Sequence, residues 1–265
     1  MSLPRMQPQD GVAWVTGASS GIGEAVALEL AARGWTVAIT ARRLEQLEEL
    51  ARRATGLPGR IVAHAGDVTD AAAMRVVVDA IESVHGPIAL AFLNAGVAPI
   101  TRPGVFDITA LEAALAVNTL GAAKGLAAVL ERMKPRGRGH VAVNASIAGF
   151  GGLPRAAAYG ASKAATIYMC EALKFDCDRL GIRLQIVNPG FVDTPLTRRH
   201  DFSMPLLMTE AVAAKRIVDG FARAGFEISF PRRLSWAVKL INLLPYPVYF
   251  RAIGWFTGRA KREQA

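Results

Sequence analysis

Cysteine is nearly absent from the sequence, since Cys170 and Cys177 are the only two among 265 residues. If both lie on one helix, they are about 10.5 Å apart along its axis, which is too far for a disulfide bond. The four histidines are scattered and lack the spacing of metal ligands. We therefore expect two core cysteines in a reduced, cytoplasmic compartment and no metal site.

Long apolar runs are also missing. The first residues, MSLPRMQPQDG, contain no apolar stretch that could serve in a signal peptide. Nowhere do about 18 apolar residues follow one another without a charge, which is the minimum for a simple transmembrane helix. The sequence therefore predicts a chain without a signal peptide and without a simple membrane-spanning helix.

Acidic residues are scarce near the C-terminus. The formal net charge is +9, and residues 232–265 contribute +6 of it through seven basic residues and one acid. The remainder is close to neutral, which argues against a nucleic-acid-binding surface on the main body. With 52% hydrophobic and 20% charged residues, the composition fits a well-filled core and excludes a disordered chain.

Short apolar runs alternate with helical patterns over residues 10–230. Buried strands separated by helices are typical of a parallel sheet with helices on both faces. We predict an α/β fold: a Rossmann-type doubly wound parallel sheet of about seven strands in one domain, residues 10–230, followed by a helical, amphipathic and basic extension, residues 231–265. The predicted strands are GVAWVTG, WTVAITA, RIVAHAGDV, PIALAFLNAG, GHVAVNAS, IRLQIVNPG and FEISFP.

A glycine-rich segment, TGASSGIG, joins the first predicted strand to the first predicted helix. Gly17, Gly21 and Gly23 permit a tight turn and a close approach of the backbone to a ligand. Free N–H groups at the start of the helix then suit a pyrophosphate. The spacing is Gly-x-x-x-Gly-x-Gly rather than Gly-x-Gly-x-x-Gly, but its position between strand and helix predicts a dinucleotide-binding catalytic domain.

Tyr159 precedes Lys163 by four positions in YGASK, at the start of a long helical pattern. Residues at this spacing are neighbours on a helix, so the pair can be an ordinary surface feature. The chemical interpretation is that a fixed ammonium favours the phenolate of a tyrosine, whose ordinary pKa of about 10 is too high for easy proton transfer. The spacing alone leaves both interpretations open.

Taken together, TGASSGIG and YGASK resemble the short-chain dehydrogenase/reductase family, and the resemblance extends over nearly all of residues 10–230. Asn118 in LAVNTLG and Ser146 in VNASIAG match the family's catalytic asparagine and serine. The resemblance implies that Tyr159 is the general acid or base, and that Lys163 lowers its pKa and holds the nicotinamide ribose. It further implies that Ser146 polarises the substrate oxygen and that Asn118 holds a water linking Lys163 to solvent. The expected chemistry is acid–base catalysis beside a hydride donor.

Other segments match the family's cofactor site in their order along the chain. GDV is expected by the adenine, LNAG follows strand four with leucine in place of the family's first asparagine, and NPGFVDT matches the nicotinamide-side loop. Besides Tyr159 and Lys163, the resemblance assigns cofactor contacts to Gly17, Ser19, Ser20, Gly21, Ile22, Gly23, Asp67, Val68, Asn94, Ala95, Gly96, Pro189, Gly190, Val192 and Thr194.

The residues after the second predicted strand indicate which cofactor is used. Folds of this kind that bind NAD place an acid there for the ribose 2′-OH, whereas this chain has Arg42 and Arg43. A guanidinium suits a 2′-phosphate, so we predict NADP(H), with Arg42 as the main contact. The alternative is that both arginines belong to a solvated helix start.

These features predict an NADP(H)-dependent oxidoreductase that interconverts a carbonyl and a secondary alcohol. Apolar residues near the expected pocket favour a small, lipophilic substrate, although they could equally be core residues. They are Phe150, Leu153, Phe191, Leu206 and Leu207. One alternative is a 3-oxoacyl thioester reductase, in which the chain usually stops soon after the seventh strand. Another is a non-catalytic dinucleotide-binding scaffold, which typically loses the tyrosine or the lysine.

The C-terminal segment predicts two short amphipathic helices, LSWAVKLINLL, ended by Pro245, and PVYFRAIGWFTG, from Pro247 to Gly258. The apolar face of the first consists of Trp236, Leu240, Leu243 and Leu244. Aromatic and basic segments of this kind suit the bilayer interface, so a peripheral membrane location is one interpretation. Packing over the substrate pocket or against a second subunit is the other. By resemblance, ALAVNTLGAAKGLAAVL and the helix after YGASK are expected to pair in a homo-oligomer.

Overall fold

The computed structural model describes residues 3–100, 104–199 and 204–257, apart from the side chain of Phe256. The strands are β1 (Val12–Thr16), β2 (Thr36–Ala41), β3 (Arg60–Ala65), β4 (Ile88–Leu93), β5 (Gly139–Asn144), β6 (Ile182–Pro189), β7 (Val192–Asp193), β8 (Met208–Thr209) and β9 (Glu227–Phe230). Seven of them form one parallel sheet in the order β3-β2-β1-β4-β5-β6-β9, and β7 pairs with β8 separately. This is the strand order of a doubly wound Rossmann sheet, and it confirms the predicted fold and its seven strands.

Helices cover both faces of the sheet. They are α1 (Gly21–Ala32), α2 (Leu44–Arg53), α3 (Ala71–His85), α4 (Ile108–Ala114), α5 (Ala122–Arg136), α6 (Ala157–Arg179), α7 (Glu210–Phe221), α8 (Arg232–Ile241) and α9 (Tyr246–Phe256). α1, α2 and α7 bury their apolar residues with Val15 of β1, whereas α3, α5 and α6 pack on the opposite face with Trp14. Cys170 and Cys177 are buried on α6 with free thiols, as predicted.

A π-helical segment, Leu115–Gly121, joins α4 to α5 in one continuous helix. Judged by length and hydropathy alone, this helix, Ile108–Arg136, could cross a membrane, since it has 29 residues and a mean hydropathy of 1.5. In this fold α5 packs against α3 and β4 and belongs to the core on one face of the sheet. The criterion applied to the sequence was an apolar run without charges, and this criterion did not identify the helix.

The parallel arrangement of the seven strands determines where the site lies. Because the strands run the same way, their carboxyl ends meet at one edge of the sheet, where ligands bind in open α/β folds. Thr16 at the end of β1 is aligned with Thr40 of β2, and Asn144 at the end of β5 with Val187 of β6. Most of the predicted cofactor residues lie in or next to the loops that follow the strands at this edge, whereas Tyr159 and Lys163 lie on α6 and Asn118 lies in the π-helical segment.

The C-terminal region consists of α8 and α9. α8 buries Leu234 and Val238 against Ile147, next to the end of β5. It ends at Ile241, earlier than the predicted end at Leu244, because the following residues form a turn in which Leu244 N donates to Ile241 O. That residues 10–230 and 231–265 are separate units stays a prediction.

Candidate active site

Three elements bring the four predicted catalytic residues together. Ser146 follows β5, Tyr159 and Lys163 lie one turn apart on α6, and Asn118 lies in the π-helical segment packed against α6. Ser146, Lys163 and Asn118 are buried, and Tyr159 is partly buried. The spacing of Tyr159 and Lys163 alone allowed either an ordinary surface pair or a chemical pair. In the structure the two residues belong to a buried cluster at the carboxyl edge of the sheet.

Ser146 and Tyr159 are joined by a side-chain hydrogen bond. Burial raises the pKa of the Tyr159 phenol above its ordinary value, and the hydrogen bond to Ser146 opposes this rise in pKa. The Ser146 hydroxyl also accepts a hydrogen bond from the backbone N–H of Ala148 at 3.1 Å, which fixes the serine side chain. In the free protein the phenol is therefore protonated at neutral pH and can donate a proton.

The ammonium of Lys163 lies beside Tyr159, with Nζ 5.8 Å from the centre of the tyrosine ring. It donates a hydrogen bond to the backbone oxygen of Asn144 at 2.8 Å. Burial lowers the pKa of Lys163 to about 8, because desolvation disfavours the charged amine. That Lys163 lowers the pKa of Tyr159 stays a prediction, since burial has the largest effect on this pKa in the free protein and raises it.

Asn118 connects the π-helical segment to the loop after β4. Its Oδ1 accepts from the backbone N–H of Val97 at 2.7 Å, and its Nδ2 donates to the Val97 oxygen and to Ser162 Oγ, each at 2.9 Å. Thr166 Oγ1 donates to the backbone oxygen of Asn118 at 3.2 Å. The side chain therefore holds the Asn94–Val97 loop beside α6, and its role in holding a water stays a prediction.

The glycine-rich loop has the close backbone contacts that a dinucleotide site requires. A Cβ on Gly17 would lie 2.5 Å from Cα of Ala95, and one on Gly23 would lie 2.4 Å from the Gly17 oxygen. Gly17 and Gly21 both have a φ of +65°, a conformation that favours glycine. α1 begins at Gly21, so the N–H groups of its first turn face the loop.

The other predicted cofactor residues line the same edge. Thr194 lies opposite Gly21, and a Cβ on Gly21 would contact its side chain at 3.5 Å. Gly96 lies beside Lys163, since a Cβ there would be 3.7 Å from Nζ. Ser19, Ser20 and Ile22 belong to the glycine-rich loop and the start of α1, while Pro189, Gly190 and Val192 belong to the end of β6, the following loop and β7.

Arg42 and Arg43 both lie at the exposed end of β2, where the sequence predicts a contact to the 2′-phosphate. The Arg43 guanidinium donates from Nε to Gln46 Oε1 at 2.7 Å, so it is tied to α2. The pKa of Asp67 is lowered by hydrogen bonds from Thr69 and by the charge of Arg42, which puts Arg42 near the loop after β3. Val68, the next residue in that loop, packs against Gly121 of the π-helical segment.

Some residues of the site escaped the sequence reasoning. Thr16 Oγ1 accepts from the backbone N–H of Asn94 at 3.0 Å, and Asn144 Nδ2 donates to Asn94 Oδ1 at 2.9 Å. Ser162, inside YGASK itself, bonds to Asn118. Polar residues at the ends of β1 and β5 were the available signal, because polar groups at those positions must find partners when they are buried.

The predicted apolar lining divides into two groups. Phe150 and Phe191 pack against Ile147 and the buried face of α8, so they lie next to Ser146. Leu206 and Leu207 are exposed, and Leu153 is partly exposed in the loop before α6. One C-terminal helix, α8, therefore packs over the residues that flank Ser146.

The fold and the site together define a Rossmann-type protein with a serine–tyrosine–lysine cluster beside a glycine-rich loop. A family model described as short chain dehydrogenase matches residues 11–203. An uncharacterized oxidoreductase of Myxococcus xanthus is 38% identical over 237 residues, which are 89% of this chain and 94% of that relative. The chain belongs to the short-chain dehydrogenase/reductase family and is an oxidoreductase of that family.

Solved structures agree with this assignment at the level of the fold. A short chain dehydrogenase/reductase from Burkholderia phymatum in complex with NAD has a TM-score of 0.78, with 24% identity over 89% of this chain and 94% of that one. An alcohol dehydrogenase from Thermococcus sibiricus complexed with 5-hydroxy-NADP has a TM-score of 0.75, with 24% identity over 83% of this chain and 95% of that one.

Proposed function

We propose that the protein is an NADP(H)-dependent oxidoreductase that interconverts a carbonyl compound and a secondary alcohol. The observation that carries this proposal is the buried cluster in which Ser146 hydrogen-bonds Tyr159 while the ammonium of Lys163 lies alongside. This cluster lies at the same sheet edge as the glycine-rich loop. The cluster brings together a proton donor (Tyr159), a second hydroxyl (Ser146) and a cation (Lys163) in a site shielded from water.

Each residue has a distinct task in the proposed reaction. In carbonyl reduction the Tyr159 hydroxyl donates its proton to the substrate oxygen, and in alcohol oxidation the phenolate takes that proton back. Ser146 Oγ, fixed by Ala148, hydrogen-bonds the same oxygen and polarises it. Lys163 stabilises the negative charge left on Tyr159 and binds the nicotinamide ribose, while Asn118 keeps the loop after β4 in contact with α6 and holds the water that relays protons.

The cofactor site fits a dinucleotide. A Cβ on Gly17 would collide with Ala95, and one on Gly23 would collide with the Gly17 oxygen, so glycine at both positions keeps the loop tight. The first turn of α1 offers N–H groups for a pyrophosphate. When bound, the nicotinamide supplies or accepts a hydride. We assign the 2′-phosphate to the guanidinium of Arg42, because the described residues after β2 offer arginine where an NAD site has a carboxylate.

The proposal extends to substrate, location and assembly. Phe150 and Phe191 near Ser146 support a lipophilic substrate, and the exposed aromatic residues of α8 and α9 support a peripheral position on a membrane. Exposed Tyr168 and Phe175 on α6 support a homo-oligomer that buries this helix.

The experiment that tests the function is the oxidation of NADPH and of NADH by the purified protein with a panel of substrates. The panel contains ketones, aldehydes and 3-oxoacyl thioesters of increasing apolar size. We expect NADPH oxidation with lipophilic ketones or aldehydes. Preferential turnover of the thioesters would support the 3-oxoacyl thioester reductase instead, and binding of NADPH without turnover would support a non-catalytic scaffold.

A further inference from the structure

One loop joins Ser146, after β5, to Tyr159 on α6, so it begins and ends at the two residues proposed to bind the substrate oxygen. Its first part rests on α6, because a Cβ on Gly149 would lie 2.8 Å from the carbonyl carbon of Lys163 and 2.7 Å from the Ile167 side chain. The catalytic helix itself therefore fixes the beginning of this loop.

The middle of the loop rests on the C-terminal region instead. A Cβ on Gly151 would lie 2.6 Å from Oδ1 of Asn242 and 2.9 Å from the hydroxyl oxygen of Tyr249. The Tyr249 hydroxyl donates a hydrogen bond to the backbone oxygen of Gly152 at 2.7 Å. Glycine at position 151 allows the loop to approach Tyr249 and Asn242 this closely.

Tyr249 is buried, unlike the other aromatic side chains that the structure describes on its helix. It is 5% exposed, whereas Tyr246 on the same helix is 76% exposed. Burial raises the pKa of its phenol, so the hydroxyl keeps its proton and stays a donor to Gly152. Its inward direction places the one polar atom of this side chain on the loop that flanks the catalytic serine.

α8 makes a second contact with the same loop. Nζ of Lys239 lies 4.8 Å from the centre of the Phe150 ring and forms an ion pair with Glu227 of β9. Glu227 also accepts a hydrogen bond from Asn188 Nδ2 at 2.8 Å. The loop is thus connected through α8 to the end of β6. From α9, the Tyr249 hydroxyl adds a hydrogen bond to the backbone of the loop at Gly152.

We propose that Tyr249 is a positioning residue for the substrate, a role that rests on the proposed function. By holding the Gly152 carbonyl, its hydroxyl keeps the loop at a fixed distance from Ser146 and Tyr159. Without this bond the loop samples more conformations, so the free protein binds the carbonyl compound less often in the productive arrangement. Proton donation by Tyr159 within the bound complex is unaffected.

Tyr249→Phe removes only the hydroxyl and tests this role. We expect KM for the carbonyl substrate to rise about fivefold, the scale of one net hydrogen bond, while kcat stays within about twofold and NADPH binding is unchanged. Tyr246→Phe, on the same helix, is the matched control and should leave all three quantities unchanged. Hydrogen exchange of the free proteins, without cofactor, should be faster over residues 147–156 in Tyr249→Phe alone.

An unchanged KM or unchanged exchange of the loop in Tyr249→Phe would overturn the proposal. A parallel loss of kcat, NADPH binding and protection throughout the chain would also overturn it, because that pattern describes a structural role. If the parent protein turns over no carbonyl compound, the proposed function fails and the substrate role falls with it. The exchange measurement still reports in that case whether Tyr249 holds the loop.

Discussion

Lys163 carries its charge at a buried position, and this makes the residue sensitive to pH. Burial lowers its pKa to about 8, so the ammonium loses its proton as the pH rises through that value, whereas the raised pKa of Tyr159 keeps the phenol protonated. The two groups therefore act together as a charged stabiliser and a proton donor only below about pH 8.

We predict that kcat/KM for carbonyl reduction is constant below about pH 8 and falls about tenfold per pH unit above it. The measurement is the pH profile of NADPH oxidation at low substrate concentration. In the opposite direction, alcohol oxidation needs the phenolate of Tyr159, so its rate should rise with pH up to about pH 8 and then level off, because the Lys163 ammonium that stabilises the phenolate is lost there. A reduction rate that is flat to pH 10 would show that Lys163 does not control the reaction.

Arg42 determines the predicted choice between the two cofactors. Arg42→Ala removes the guanidinium that would bind the 2′-phosphate, and a charge-assisted hydrogen bond of this kind corresponds to about a tenfold change in affinity or more. We expect the apparent KM for NADPH to rise about tenfold and that for NADH to change little. Arg52→Ala, at the other end of α2, is the control. Equal affinity of the parent for both cofactors would contradict the assignment.

The elements could be predicted from the sequence to different degrees. β1, β2, β4, β5 and β6 were predictable because strands buried on both faces form continuous apolar runs. The edge strands β3 and β9 are only partly buried, and their apolar residues still marked them as strands. β7, β8 and the π-helical segment were not, since two-residue strands leave no pattern and the π-helical segment depends on distant contacts such as Thr119 Oγ1 to the Ser162 oxygen. For α9, periodicity could not tell which tyrosine faces inward, because that depends on the loop it contacts.

α8, α9 and the turn between them carry the prediction about membranes. Leu243 and Trp255 are 80% and 77% exposed, and the described residues 228–257 contain basic side chains but no acid, as suits an anionic bilayer surface. We expect the full chain to sediment with anionic liposomes and the double variant Leu243→Ser, Trp255→Ser to do so much less.

Two exposed apolar positions on α3 supply the control for this experiment. Val76 and Val84 are 67% and 69% exposed, so Val76→Ser with Val84→Ser makes the same kind of change, from an exposed apolar residue to serine, on a different helix. This variant should sediment like the parent. If all three proteins sediment equally with the liposomes, or if none of them does, the membrane prediction is wrong and α8 and α9 are packing elements only. Truncation after Arg233 is less informative, since it would uncover Ile147 beside the site.

For the molecule as a whole, exposed aromatic residues on α6 predict assembly into an oligomer. Tyr168 and Phe175 lie seven positions apart on α6, on the same side of the helix, and are exposed in the single chain. We predict that sedimentation velocity gives a multiple of the chain mass of 28.2 kDa and that Tyr168→Lys with Phe175→Lys shifts it toward the monomer. Val84→Lys is the control. A monomeric parent at high concentration would contradict this prediction.

The central claim about the whole molecule is that Tyr159 transfers the proton in an NADPH-dependent reaction. The most direct measurement compares parent and Tyr159→Phe for both NADPH binding and turnover of the best carbonyl substrate. We expect unchanged binding and a loss of at least about a hundredfold in kcat, the usual effect of removing a general acid. Turnover by Tyr159→Phe at the rate of the parent would contradict the proposed mechanism.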